Sequence, residues 1–205
     1  MRVQSAFFVL PMLFVLVMPA VATALAIGDA IPAIPSQIAQ LHDTDGRDIK
    51  IADVSGAKGT LVIFTCNHCP FVKAWESRIV VLGNAYSKKG IGVIAINSND
   101  PAAAAEDGFE PMQQRAKEKG FEFPYAVDAT SGIAKAFGAS KTPEAFLFDA
   151  SGRLAYHGAI DDNSADAAAV RSHYLEDALE AVQAGKPASP SETKALGCGI
   201  KFRGA

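Results

Sequence analysis

Cysteine is scarce in this chain of 205 residues, which contains only Cys66, Cys69 and Cys198. A small, odd number excludes a protein stapled by a disulfide framework. No basic stripe is present either. Lys and Arg are scattered, and the formal net charge of −3 loses its only leader contribution, Arg2, if the first residues are removed. That leaves no electrostatic footprint for nucleic acid. After residue 26 no second long apolar run occurs, so nothing beyond it reads as membrane-spanning. No internal repeat and no second core interrupt the chain.

The leader itself is apolar. Arg2 gives a short positive start, and residues 6–26 carry no charge, with Pro11 and Pro19 interrupting them. Small residues at Ala22/Ala24 and Ala24/Ala26 offer two A-x-A cleavage sites. Residues 1–26 therefore read as a cleaved signal peptide, with an uncleaved anchor as the alternative. Export to an oxidising compartment such as a periplasm follows.

From residue 27 the pattern is mixed α/β. "IAQLHDTDGRDIKI" reads as an N-terminal β-hairpin turning at Asp45-Gly46. "TLVIFT" and "IGVIAIN" are continuous apolar runs, as expected of strands covered on both faces. Between them Val72, Trp75, Ile79, Leu82 and Tyr86 recur at helical steps, and Lys88-Lys89-Gly90 ends that helix. A helix near Met112 to Lys119, a short strand in "FPYAVD" and a short helix in "SGIAKAFG" follow. "EAFLFDASGRLAYHG" is a second hairpin. Val170, Tyr174, Leu175, Ala178, Leu179 and Val182 mark a last helix ended by Gly185. Residues 27–185 form one domain, a mixed central sheet flanked by helices. Residues 186–205 are a polar, Pro/Ser-rich linker and a tail holding Cys198.

Cys66 stands where a buried strand hands over to a helix, and Cys69 follows three positions later. One helical turn is ~3.6 residues, so both thiols fall on one side. A Cα separation of roughly 5–6 Å would allow a disulfide. Unpaired N–H groups and the dipole of the helix start favour a thiolate at Cys66, and His68 can add a hydrogen bond or a charge. Haem attachment is excluded, because Pro70 stands where C-x-x-C-H needs histidine. Zinc needs about four ligands, and here Cys66, Cys69 and His68 would have to recruit a remote Cys198 or His157. Thiolates also suit Cu(I), and an inert structural disulfide is a further alternative. A peroxidase motif P-x-x-x-T-x-x-C is absent in both frames. Ile63 and Gly59 precede Cys66, and Cys66 and Val62 precede Cys69, at the positions of Thr and Pro.

The segments "FTCNHCPFVKA", "VIAINSND", "FPYAVDATSGIAKAFGA", "TPEAFLFD", "YHGAIDDN" and "GCGIKF" together resemble the thioredoxin-like superfamily. They are most similar to its exported, peroxiredoxin-like branch, which joins a redoxin (AhpC/TSA-type) domain to C-N-H-C. The resemblance implies a thioredoxin-like fold and thiol–disulfide exchange by Cys66 and Cys69, tuned by His68. It places Thr142-Pro143 in a cis-proline loop that faces the dithiol and holds a partner's extended chain. Asn67, Thr142, Lys141 and Asn97 are the candidate substrate-binding residues. Cys198 is either a resolving thiol or a packed cysteine. The expected partner is a protein or small molecule bearing a disulfide or dithiol. Neither an organic cofactor nor a metal ion is required. A peroxiredoxin-like peroxidase and a copper-binding module remain as alternatives. The pattern departs at two points. "GTLVIFT" lacks the buried acid that thioredoxins often place before the dithiol, and Lys141 stands where many relatives have Cys.

Overall fold

A computed structural model describes residues 25–204. All but the last two positions of the expected leader 1–26 lie outside the described residues. Among the described residues no helix is long and apolar enough to cross a membrane.

The hairpin turning at Asp45-Gly46 is present as β1 (Leu41–Asp43) and β2 (Asp48–Ile49). The buried Asp43 carboxylate ties its turn, accepting from the Asp45 and Arg47 backbone N–H groups at 3.0 and 2.8 Å. Then come β3 (Gly59–Phe64), α1 (Pro70–Ser87), β4 (Ile91–Asn97), α2 (Phe109–Lys119), β5 (Tyr125–Val127) and α3 (Gly132–Phe137). The chain ends with β6 (Lys141–Thr142), β7 (Glu144–Asp149), β8 (Leu154–Gly158), α4 (Tyr174–Gln183) and β9 (Cys198–Gly199).

The ladders β2-β1-β5-β4 and β3-β7-β8 make up the sheet. They meet where β3 runs beside β4: Lys58 N–H bonds to Gly90 O and Thr65 N–H to Ile96 O, so both strands advance together. β4 and β5 are parallel, and the β3/β7 and β7/β8 pairs are antiparallel. The sheet is mixed, as the strand–helix alternation followed by a hairpin implies.

Alternation along each strand divides the core. Leu61 and Ile63 of β3 join Trp75, Ile79 and Tyr86 of α1 and Leu175 and Leu179 of α4 on one face. Val62 and Phe64 join Phe137 of α3, Phe146 and Phe148 on the other. α1 lies so close to the segment before β5 that a Cβ at Gly83 would sit 2.2 Å from the Phe123 ring. Its buried Glu76 is neutralised by Arg115 of α2, with contacts of 2.5 and 2.9 Å.

Two expectations need correcting. Val170 is not helical: it follows a 3-10 turn (Ala167–Ala169), and α4 starts only at Tyr174. Arg171 and Ser172 instead hydrogen-bond back to Asp162, which holds this stretch extended. Residues 186–197 are also not a free linker. His157 exchanges backbone bonds with Ser191 and Thr193 at 3.0 Å each, and the Thr193 hydroxyl accepts from the Ala159 N–H at 3.0 Å. The Ser/Pro composition suggested a spacer, but its polar groups are used to bond to the edge of β8.

Candidate active site

β3 ends at Phe64 and α1 begins at Pro70, so the intervening loop places Cys66 and Cys69 at the carboxyl end of a buried strand. Cys69 is the residue that caps α1, and Pro70 fills its first position, where no N–H is needed. Both cysteines are free thiols. They are also covered: Cys66 is 1% exposed and Cys69 0%.

Thr142 joins the two. Its hydroxyl lies 3.3 Å from Cys66 Sγ, and its carbonyl accepts from Cys69 Sγ at 3.2 Å. The Thr142–Pro143 peptide is cis, as expected, and both residues are buried. The cis-proline loop therefore faces the dithiol directly.

The buried acid missing from β3 comes from another element. Asp107, from a 3-10 turn (Ala105–Asp107) after β4, is 2% exposed. One of its oxygens accepts from the backbone N–H of Asn67 at 2.6 Å and of His68 at 3.3 Å. The other accepts from His68 Nδ1 at 2.6 Å and Asn99 Nδ2 at 2.9 Å. The N–H groups directly after Cys66 are thus taken by Asp107, and the helix whose first turn was expected there begins only at Pro70. His68 is bonded to Asp107 and not to Cys66, so of the two roles expected for it the hydrogen bond to the sulfur is not formed, while its ring still lies within 4.8 Å of Cys66. Sequence reasoning missed Asp107. Its segment precedes the helix expected near Met112, carries no local mark of a site, and only the fold brings it 40 residues back to the dithiol loop.

Cys66, His68 and Asp107 present three ligand-type atoms within 4.8 Å of one another. Both carboxylate oxygens and one imidazole nitrogen are already committed to the hydrogen bonds above. The arrangement is that of a closed network, which suits positioning better than metal capture.

The two sulfurs ionise as a pair. Hydrogen bonding between them lowers the first loss of a proton, which falls to Cys69, below the ordinary thiol range. The same bond, then burial, pushes the remaining Cys66 thiol up, and the Asp107 charge adds to this. The nearby Cys198 thiol and the helix N–H of Val72 lower the Cys69 pKa further. The shift favours loss of the first proton from Cys69, where the helix-start argument favoured Cys66; while Cys69 keeps that proton it is held by the Thr142 carbonyl.

The remaining candidates are dispersed. Asn67 is buried and held by the Glu106 carbonyl at 2.8 Å and the Tyr125 hydroxyl at 2.9 Å. Asn97 is buried, bonded to Met112 sulfur at 3.4 Å and to the Asn99 N–H at 3.0 Å. Both shape the loop from behind and offer no free polar group to a guest. Lys141 lies on β6 opposite Gly199, and its charge acts on Cys198. Cys198 pairs with Thr142 across the β6/β9 ladder and packs against Cys66, Cys69 and Val72. It is brought to the site, and its sulfur meets Cys69.

Comparison with known proteins bears on the family and the fold. The AhpC/TSA family pattern matches residues 27–157. The thiol-disulfide oxidoreductase ResA of Geobacillus thermodenitrificans is 26% identical over 132 residues, which cover 64% of this chain and 68% of that one. The curated relatives are matched over 60 to 68% of their own lengths. An uncharacterized conserved protein from Geobacillus kaustophilus has a structure similar to this one with a TM-score of 0.81 and 34% identity, covering 93% of this chain and all of the other. A thioredoxin-like protein solved in its oxidized form superposes with a TM-score of 0.61 at 19% identity, covering 79% of this chain and 99% of the other. The fold is thioredoxin-like.

Proposed function

The chain belongs to the AhpC/TSA family, and from that premise we propose that it is a thiol–disulfide oxidoreductase acting through the Cys66/Cys69 dithiol. The observation that carries this reading is the shared contact of both thiols with Thr142, immediately before Pro143. The chain's own β9 occupies the Thr142 edge, and a guest strand that displaced it would bring its sulfur against both cysteines.

The exchange runs in two steps. Cys66 attacks one sulfur of a partner disulfide as a thiolate; a Cys66–partner bond forms and the other partner sulfur leaves with the electron pair. Cys69 then attacks Cys66 Sγ, closing a Cys66–Cys69 bond and releasing the second partner sulfur. The dithiol loses two electrons, and the two partner sulfurs take up protons. Run backwards, the sequence oxidises a dithiol partner. The shared anion shuttles between the sulfurs as the mixed disulfide forms, so the pair needs no separate base.

Cys69 supplies the low-energy anion and Cys66 the bond to the guest. Thr142 and Pro143 hold the guest strand, His68 and Asp107 fix the loop, and Asn67 keeps it seated on Tyr125. No organic cofactor or metal takes part. The apolar start at residues 6–26 supports export to a periplasm-like compartment, where disulfide-bearing proteins or small thiols are the partner class. An insulin-type disulfide reduction assay with dithiothreitol as electron source tests the reading. Wild type should accelerate the reaction and Cys66→Ser should not; equal rates for the two would refute it.

A further inference from the structure

The tail is bound where a guest strand would be. Cys198 and Gly199 pair antiparallel with Thr142 and Lys141. Ile200 N–H donates to Ser140 O at 3.0 Å, and Lys201 N–H to Asn99 Oδ1 at 2.7 Å. Ile200 is buried and Phe202 packs on the α3 face of the core. Gly197 lies so close to the Thr142–Pro143 peptide that a Cβ there would be 2.2 Å from the Thr142 carbonyl oxygen. These contacts fix the register of the tail on both sides of Cys198, so the sulfur is delivered to the Cys66, Cys69 and Val72 cluster by design of the backbone. Of the three cysteines, Cys66 and Cys69 are buried and only Cys198 is partly open to solvent.

Building on the dithiol reading above, we propose that Cys198 is a third redox-active cysteine. It acts as a tethered partner thiol that moves the disulfide from Cys66–Cys69 to Cys69–Cys198, and so links the buried pair to thiols outside. Cys198, as thiolate, attacks Cys69 Sγ. The Cys69–Cys198 bond forms as the Cys66–Cys69 bond breaks, and Cys66 leaves with the electron pair and takes up the proton that Cys198 gave up. No net oxidation occurs. An external thiol then attacks Cys198 Sγ, Cys69 leaves as the anion, and a second external thiol frees Cys198 with release of the external disulfide.

The local charges time this step. In the reduced protein, burial and then the hydrogen bond and charge of Cys69 push the Cys198 thiol up to about 11, against the pull of Lys201 and Lys141. Closing the Cys66–Cys69 bond removes the Cys69 anion and leaves the lysines. Cys198 thus becomes more acidic when a disulfide is present for it to attack. Lys141, which stands where relatives carry cysteine, acquires a role through this sulfur.

Tryptic mapping of the full chain tests the proposal. Cleavage after Lys58, Lys73, Lys194 and Lys201 places both dithiol cysteines in peptide 59–73 and Cys198 in peptide 195–201. The protein is oxidised with diamide at high dilution, alkylated, digested and weighed. Peptide 59–73 joined to 195–201 should appear in wild type and in Cys66→Ser, and should be lost in Cys69→Ser. If 59–73 is bridged only internally and 195–201 is always alkylated, the proposal falls and the dithiol reading stands. If neither bridge forms, both fall.

Discussion

Replacing Asp107 by Asn keeps the shape of the side chain and removes its charge, with two consequences of opposite kind. The carboxylate accepts four hydrogen bonds, from two backbone N–H groups, His68 and Asn99. An amide offers one oxygen and turns an NH2 group toward the remaining donors. Hydrogen bonds to a charged group contribute about 1.5–3 kcal/mol each, and a buried donor left unpaired costs about 1–3 kcal/mol. A loss of about 3–5 kcal/mol is therefore expected. That is a large part of the ~5–15 kcal/mol that holds a domain folded, yet not all of it. With a urea slope of ~2 kcal/mol/M the midpoint should fall by about 1.5–2.5 M. At the sulfur the sign reverses. A thiolate at Cys66 and the carboxylate lie within 4.8 Å, and at an effective dielectric of ~20 their repulsion is about 3.5 kcal/mol. Removing it favours the Cys66 anion, so reduced Asp107→Asn should react faster with iodoacetamide at Cys66 near neutral pH. Urea titration and alkylation followed by peptide mass read the two effects on one sample. An unchanged midpoint together with an unchanged Cys66 rate would refute the positioning role.

Further outcomes follow from other contacts. Gly197→Ala should lift the tail from Thr142, because its Cβ would meet the carbonyl at 2.2 Å; trypsin should then cut at Lys194 and Lys201 faster than in wild type, and equal rates would show that the tail is not held there. Asp161→Ala removes the partner of Trp75 Nε1, at 2.7 Å, and of the Arg78 guanidinium. It should lower stability by about 3–5 kcal/mol and red-shift the Trp75 emission, measured by fluorescence during urea unfolding. In the reduced protein, far-ultraviolet thiolate absorbance should first rise below the ordinary thiol range of ~8.5, as the dithiol loses one proton, and the Cys198 thiol should ionise only above that range. A single step at the ordinary thiol range of ~8.5 would contradict the shared anion.

The sheet was legible in the sequence because its signals are local. Alternating or continuous apolar runs gave β3, β4 and the two hairpins, and three- and four-residue steps gave α1 and α2 within a few positions. The last helix was drawn too long because Val170 continues its periodicity. The bonds that hold residues 171 and 172 extended, from the Arg171 N–H to the Asp162 carboxylate and from the Asp162 N–H to the Ser172 carbonyl, reach across about ten residues and leave no local mark. The dithiol was readable from residue types, and the Thr142-Pro143 loop from the family resemblance. The site's surroundings were not. Asp107 arrives from the far side of β4, and the tail looks like a spacer because Ser, Thr and Pro serve equally well in loops and in edge bonds. The three cysteines were counted at the outset, but only the fold shows that they belong to one cluster.

The most direct test of the central claim uses Cys69→Ser, which should stop the exchange after its first step. Incubated with a disulfide-bridged peptide and passed over a non-reducing gel, the variant should accumulate a covalent adduct whose tryptic map places the new bond on Cys66. No adduct, or one carried on Cys198 with Cys66 untouched, would contradict the assignment of Cys66 as the sulfur that meets the guest.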